Sequence, residues 1–275
     1  MPIYIESRQN PRIKELLKLT KRRHRDERKL TVVEGDREVN RALKSGIVPV
    51  QAYLCKEHIQ GNEAEEALQA VEALGASKAC QLFHISVELY KKIAYREQSG
   101  GLLLLVPYIS LKLADLSFVS PPFFVVIENV EKPGNLGAIL RTADAAGVDG
   151  IIVTHSDPYP PTDVHNPNVI RSSLGTVFTV PMAQASTAQA LKWLHENNIP
   201  IATTSPFSQV NYAEADYTGP IAISLGSEAE GLSDAWFKAA TQQVVIPMHG
   251  IADSLNLSTS TAILLYEVVR QRSKA

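Results

Sequence analysis

The chain has 275 residues, 45% hydrophobic and 20% charged, a composition that supports a sizeable core and excludes a disordered chain. No run of eighteen apolar residues occurs, which excludes a spanning helix, and the opening stretch lacks the apolar core of a secretory signal, so the expected compartment is cytoplasmic. Two cysteines, Cys55 and Cys80, are too few for a zinc cage or a disulfide framework and read as packing residues.

The net charge of -2 hides an asymmetry. Residues 1–44 hold 13 Lys and Arg against 7 Asp and Glu, a net +6, which leaves -8 on the rest of the chain. A basic segment on an acidic body suits a phosphate-bearing partner met by one part of the molecule, or else a solvated helix face. Within it, Ile13, Leu16, Leu17 and Leu19 recur at helical spacing after Pro11, and the helix is expected to fade into Lys21-Arg22-Arg23-His24-Arg25. A strand over 30–33 follows, then a helix capped by Asp36, reaching Lys44 and stopped by Gly46. Strands are expected over 52–54, 81–84 and 102–106, with helices over 63–74 and after Ser86. Residues 1–107 thus form a small alternating α/β domain.

Residues 108–122, with Pro121 and Pro122 side by side and no periodicity, read as a linker. The alternation restarts with strands over 123–127 and 150–153, parallel and flanking a helix over 135–146. Further strands are expected over 177–180, 199–203, 221–225 and 244–246, and helices over 188–197, 234–240 and 258–271. Residues 123–275 make a second, larger α/β domain.

Three loops follow predicted strands, where open α/β sheets bind ligands. In the first, Gly134 and Gly137 permit close backbone approach, Asn135 can cap the helix, and Arg141 lies six residues on, able to lean over the helix start. That pattern suits an anion or a ribose hydroxyl, and equally a capped turn with an ion-paired Arg. The second, Leu225-Gly226-Ser227-Glu228-Ala229-Glu230-Gly231-Leu232, is neither GxGxxG nor GxxxxGK[ST], which disfavours a dinucleotide or ATP site. Glu228 can bond a ligand or close a capping box. The third runs from Ile246-Pro247-Met248 to Ser254-Leu255-Asn256-Leu257-Ser258, rich in hydroxyl and amide groups, with Asn256 or Ser258 as a natural helix cap.

Together these loops resemble the SpoU (TrmH-like) branch of the SPOUT methyltransferases, which transfer methyl from S-adenosyl-L-methionine to a ribose 2'-OH of rRNA or tRNA. Asn135, Gly137 and Arg141 match the family's N-x-G-x-x-x-R core, and Gly226, Glu228, Gly231 and Leu232 match its G-x-E-x-x-G-L core. Ile246-Pro247-Met248 with Ser254, Leu255, Asn256 and Ser258 matches its I-P-M and S-L-N-V-S pair, and 169–176 fits its middle segment. Leu257, Thr259 and Ser260 depart from the usual residues, which bears on cofactor affinity more than on catalysis. The first domain resembles the L30e-like RNA-binding domain of the two-domain rRNA members, on its layout and on the stretches 7–14 and 33–39.

The resemblance implies an α/β protein whose C-terminal domain is an α/β knot, a parallel sheet with helices on both faces and a deep trefoil knot, preceded by the smaller L30e-like domain. It implies that Thr203, Leu225, Gly226, Ile246, Met248, Leu255 and Asn256 surround the cofactor. Arg141 is the implied activator of the ribose hydroxyl, Asn135 its positioner, Glu228 a brace for the loops, and Ser254 and Asn256 shape the pocket. Arg8, Arg12, Lys21, Arg22, Arg23, Arg25 and Arg37 are the cations expected to meet RNA phosphates, with His24 among them. The sulfonium donor is already activated, so no metal is expected, and the family pairs as homodimers through the knotted domain. Trp193 and Trp236 are expected in the core or at a subunit contact. Against an rRNA ribose methyltransferase stand a tRNA 2'-O-methyltransferase and a non-catalytic RNA-binding or ribosome-assembly protein of the same fold. A Rossmann oxidoreductase lacks its glycine fingerprint here.

Overall fold

The computed structural model describes residues 3–95, 100–227 and 229–273. The chain opens on a short strand, β1 (Ile3–Ile5), and two helices, α1 (Pro11–Lys18) and α2 (Arg22–Arg28). Then come β2 (Leu30–Glu34), α3 (Asp36–Lys44), β3 (Gln51–Leu54), α4 (Asn62–Ala76), β4 (Gln81–Ile85), α5 (Val87–Ile93) and β5 (Leu102–Pro107). The alternation resumes with β6 (Phe123–Glu128), α6 (Pro133–Ala146), β7 (Gly150–His155) and α7 (Pro167–Ser172). It ends with β8 (Met182–Ser186), α8 (Thr187–Glu196), β9 (Ile201–Thr204), β10 (Ile221–Leu225), α9 (Asp234–Ala239), β11 (Gln242–Val244) and α10 (Leu257–Arg272).

Most elements form close to their expected bounds, and the departures have local causes. The basic run does not trail out of α1 but forms a helix of its own. Arg22 pairs with Asp26 and Arg23 with Glu27 one turn on, and Lys29 ends the helix in the left-handed conformation at φ 53°. Gly35, at φ 107°, takes the cap position of α3, and Asp36 stands in its first turn. The strand expected over 177–180 is instead a single 3-10 turn, Thr176–Phe178, entered through Gly175 at φ 81°. Its Val177 and Val180 are buried all the same, so their apolar character reports a packed turn rather than a strand. The last strand stops at Val244 rather than Ile246, opposite the end of its partner strand at Thr204.

The first sheet has the order β1-β4-β3-β5-β2, with β1, β4 and β3 parallel and β5 antiparallel to both its neighbours. Ile13 and Leu16 of α1 pack with Tyr53, Phe83, Leu89, Tyr90 and Leu103 to form its core. Cys55 and Cys80 are buried and unbridged, and burial pushes both thiols up to about 11. The second sheet has the order β11-β9-β10-β6-β7-β8 with every pair parallel. Its central strand β6 is buried along its whole length, the pattern of a strand covered on both faces. Phe124 and Val126 pack with Ala190 and Leu194 of α8 and with Trp236 of α9. On the other face the Arg272 guanidinium of α10 lies 5.1 Å over Phe123, and α10 packs along α6. Trp236 is fully buried and Trp193 meets Phe124 edge-on, so both belong to the core.

Contacts divide the chain into two compact units. One holds the chain up to Ile109 together with Asp163–Thr179, and the other holds Ser110–Thr162 and the chain from Val180 onward. The segment 163–179, expected within the second domain, packs in the first unit. Arg25, expected to face phosphate, is the residue that explains the difference. It is 1% exposed, donates to the Leu19 and Thr20 carbonyls, and pairs with Asp163, so it is a buried anchor and not an RNA contact. Thr31 Oγ1 donates to the His165 carbonyl at 2.7 Å, Arg41 to the Leu174 carbonyl at 2.7 Å, and the His165 ring stacks on Tyr108 at 3.6 Å.

Burial holds the His165 imidazole down at about 4, with Arg25 and Lys29 adding to the shift and Asp26 and a backbone bond opposing it. The unfolded chain therefore takes up this proton first as the pH falls below about 6.5, and the native state loses up to about 3 kcal/mol on the way to pH 4. Urea unfolding at pH 7.5 and pH 4.5 should show His165→Phe with a smaller stability difference between the two than the parent chain, by about that amount. An equal difference in both proteins would remove His165 from this role.

Candidate active site at the carboxyl edge of the second sheet

Because the six strands of the second sheet run parallel, the loops that leave their carboxyl ends share one edge. Leaving β6, Asn129 turns the chain at φ 54° and is clamped to the end of β7, its amide donating to Ser156 Oγ at 2.9 Å and its Oδ1 accepting from the Ser156 N–H at 3.0 Å. Pro133 occupies the first position of α6, with Lys132 as the cap. Asn135 is therefore inside the first turn and is not the cap expected of it. Its side chain turns instead to the third loop, where Asn256 Nδ2 donates to Asn135 Oδ1 at 3.2 Å. Asn256 caps α10, its Oδ1 accepting from the Ser258 N–H at 3.0 Å and the Ser258 hydroxyl at 2.6 Å. Arg141 follows Asn135 by about 9 Å along the α6 axis. It is exposed and bonds no partner among the described residues.

The second loop closes on itself. Ser227 bridges Gly231, whose N–H donates to the Ser227 carbonyl at 3.0 Å, and Gly231 adopts φ 71°. A Cβ on Gly226 would lie 1.9 Å from the Gly231 carbonyl carbon and 2.1 Å from the Leu232 nitrogen, so only glycine permits this crossing of backbones. Glu228 lies outside the described residues. Between the loops is a cavity of about 200 Å³ lined by Asn129, Val130, Glu131, Lys132, Asn135, Ser227, Ala229 and Leu257, so segments of all three loops form its wall.

The remaining expected residues lie around this edge. Thr203 is next to last in β9, fully buried, and its hydroxyl finds no partner among the described residues. Leu225 ends β10, and Ile246 and Met248 follow β11, the first half-buried and the second exposed. Ser254 is exposed and Leu255 half-buried, just ahead of α10. Among the described residues no group of three or more His, Cys, Asp or Glu can hold a metal, and no helix is long and apolar enough to cross a membrane.

Glu128, at the end of β6, falls outside the matched motif positions. It is fully buried and bonds Thr187 and Ser233, and its only trace in the sequence is a carboxylate closing an otherwise apolar strand, Phe-Phe-Val-Val-Ile-Glu. In the first unit, Arg8, Arg12, Lys21, Arg22, Arg23 and Arg37 are all exposed. Arg22 and Arg23 share their charge with Asp26 and Glu27, Arg37 lies 3.6 Å from Glu63, and the Arg12 guanidinium stands 4.8 Å over Phe83. His24 lies 3.4 Å from a Glu27 oxygen.

The chain is similar to known proteins along both units. Residues 122–266 match the model of the SpoU rRNA Methylase family, and residues 10–104 match the MRM3-like substrate binding domain. The 23S rRNA (guanosine-2'-O-)-methyltransferase RlmB of Shewanella oneidensis is 40% identical over 152 residues, which span 55% of this chain and 60% of that relative. A crystal structure of an RNA 2'-O ribose methyltransferase superposes with a TM-score of 0.82 at 40% identity, over 98% of this chain and 100% of that one. An AdoMet-bound rRNA methyltransferase from Sinorhizobium meliloti superposes at 0.86 and 28% identity, over 97% of each chain.

The backbone crossing predicts a contrast between two glycines. Gly226→Ala should cost about 2 kcal/mol in a denaturant titration, since the neighbouring chain must shift. Gly134→Ala, which meets nothing within 4 Å, should be neutral or raise stability by up to about 1 kcal/mol, as expected inside a helix. Equal effects would mean that the crossing is not tight in solution.

Proposed function

The chain belongs to the SpoU rRNA methylase family, and from that premise we propose that it transfers a methyl group from S-adenosyl-L-methionine to a ribose 2'-OH of ribosomal RNA. The observation that carries this reading is the bond from Asn256 to Asn135, which joins the third loop to the first beside the cavity, with Arg141, unpaired among the described residues, further along the same helix.

The residues at this edge fit the donor. Thr203 offers a buried hydroxyl without a partner among the described residues, the kind of group that an adenine or ribose edge satisfies. Backbone groups at Leu225, Gly226, Ile246, Met248 and Leu255 supply further donors and acceptors, and Gly226 lets the second loop fold tightly beside them. When bound, S-adenosyl-L-methionine supplies an activated methyl on a sulfonium, with no need of a metal.

The ribose hydroxyl must lose its proton as the new bond forms. A guanidinium stays protonated, so Arg141 acts by stabilising the developing alkoxide rather than by taking the proton. Its freedom from any carboxylate among the described residues leaves its donors available. Asn135, held by Asn256, fixes the start of the helix that carries Arg141. Ser254 and Asn256 shape the pocket mouth, and Glu228 braces the second loop.

The first unit grips the RNA through phosphates and 2'-OH groups, with Arg8, Arg12, Lys21, Arg22, Arg23 and Arg37 as its contacts. Ribosomal RNA is favoured over tRNA because a relative that superposes over 97% of this chain is named an rRNA methyltransferase, and the first unit matches a substrate binding domain. The compartment is that of ribosome assembly, the cytoplasm. The protein acts as a homodimer through its second unit, where Phe207 and Ile251 are almost completely exposed and Val210, Met248 and Tyr266 are partly so. These are the side chains that a second copy of the chain would take out of water.

Arg141→Ala should bind S-adenosyl-L-methionine within about threefold of the parent in calorimetry while transferring methyl about 100- to 1000-fold more slowly. Nucleoside mass spectrometry of rRNA from cells lacking the protein, incubated with enzyme and labelled donor, gives the readout. Turnover unchanged in the variant would dismiss Arg141, and donor binding without transfer to any RNA would favour a non-catalytic assembly protein. Phe207→Asp combined with Ile251→Asp should move the protein from dimer to monomer in sedimentation velocity, and a monomeric parent would refute the dimer.

A further inference from the structure

Glu128 is a carboxyl group shut off from solvent, with no cation beside it among the described residues. It is 0% exposed, and no Lys, Arg or His among the described residues pairs with it. Burying a carboxylate this way is costly unless donors surround it. Here three do so. Thr187 Oγ1, at the start of α8, donates at 2.5 Å, the Ser233 N–H, ahead of α9, at 2.6 Å, and the Ser233 hydroxyl at 3.0 Å. A carboxylate accepts and does not donate, so the arrangement uses it fully.

What those donors belong to gives the residue its meaning. Ser233 stands two residues beyond Gly231, at the far end of the second loop, whose near end is fixed by β10 with Leu225 opposite Ile127. Glu128 itself is followed by Asn129, the first residue of the cavity wall contributed by the first loop. One side chain therefore joins the segment that supplies Asn129, Val130, Lys132 and Asn135 to the segment that supplies Ser227 and Ala229. The Asn129 clamp on Ser156 holds the same segment from its other side.

We propose that Glu128 is a positioning residue that sets the separation of the two cavity walls and thereby the affinity for S-adenosyl-L-methionine, an inference that rests on the methyltransferase reading above. It touches neither substrate nor donor. With its carboxylate removed, the part-buried Ser233 N–H loses its acceptor, and the second loop relaxes away from the first.

The hydrogen-bond chemistry separates this role from general support of the fold. In Glu128→Gln the amide oxygen can face the Ser233 N–H while its NH2 donates to the two hydroxyls, which reverse their sense. In Glu128→Leu nothing accepts. The full-length protein is assayed by calorimetric titration with S-adenosyl-L-methionine and by methyl transfer to unmodified 23S rRNA transcript. Glu128→Leu should raise both Kd and KM for the donor about tenfold or more, with kcat within about threefold and KM for RNA unmoved, and Glu128→Gln should stay within about threefold throughout.

A Gln variant as weak as Leu, or a Leu variant that loses melting temperature without moving donor affinity, overturns the proposal. Should Glu128→Leu fail to fold, Thr187→Val with Ser233→Ala strips two of the three donors and must raise donor KM, and an unchanged KM there overturns it equally. A parent protein that binds no S-adenosyl-L-methionine gives a different signature, seen before any variant is compared. It removes the methyltransferase reading and this inference with it.

Discussion

The pairing of β6 with β10 on one side and β7 on the other sets Leu225 opposite Ile127 and Val153 opposite the same residue. Parallel strands in fixed register finish at the same height, so loops far apart in sequence emerge side by side. Slippage of one residue would turn Phe124 and Val126 away from α8 and α9 and would carry Glu128 out of reach of Ser233. The apolar packing and the polar joint thus demand the same register, and the loops inherit their geometry from that agreement.

Over this scaffold the loops interlock through small, directional contacts. Asn256 bonds backward to Asn135 and forward to the first turn of its own helix, so one amide both caps α10 and links two loops. Gly226 and Gly231 bring two backbones closer than any side chain allows. Asparagine and glycine are weak sequence signals singly, because each has many uses in turns. Their value here comes from contacts distant in sequence, and only the ordered set of three loops disclosed them.

That contrast explains what could be read in advance. Elements with strong periodicity or a clear breaker, such as the helix of Ser258 or the apolar run at 102–106, formed where expected. The family pattern implied that Asn135 and Asn256 serve one site, while their direct bond and the position of Asn135 inside the helix, behind Pro133, were not legible. β1 and α7 are too short for periodicity to report. Val177 and Val180 announced burial but not backbone, and the turn there depends on Gly175. Arg25 was indistinguishable in sequence from its neighbours Arg22 and Arg23. Only the arrival of Asp163, much later in the chain, takes it out of solvent. Glu128 likewise declares itself only once Thr187 and Ser233 have come to it.

The segment Asp163–Thr179 carries a consequence for modularity. Its neighbours before and after in the chain fold in one unit, while its own side chains are satisfied in the other, by Arg25, Thr31, Arg41 and Tyr108. The polypeptide therefore passes between the units three times rather than once. A gene cut near residue 110 does not yield two self-sufficient proteins, because one piece keeps a buried arginine without its carboxylate and the other keeps the carboxylate without its arginine. Recombination that exchanged the front unit for a different module would have to bring a matching cradle for this excursion. The two units are bound to evolve as a pair.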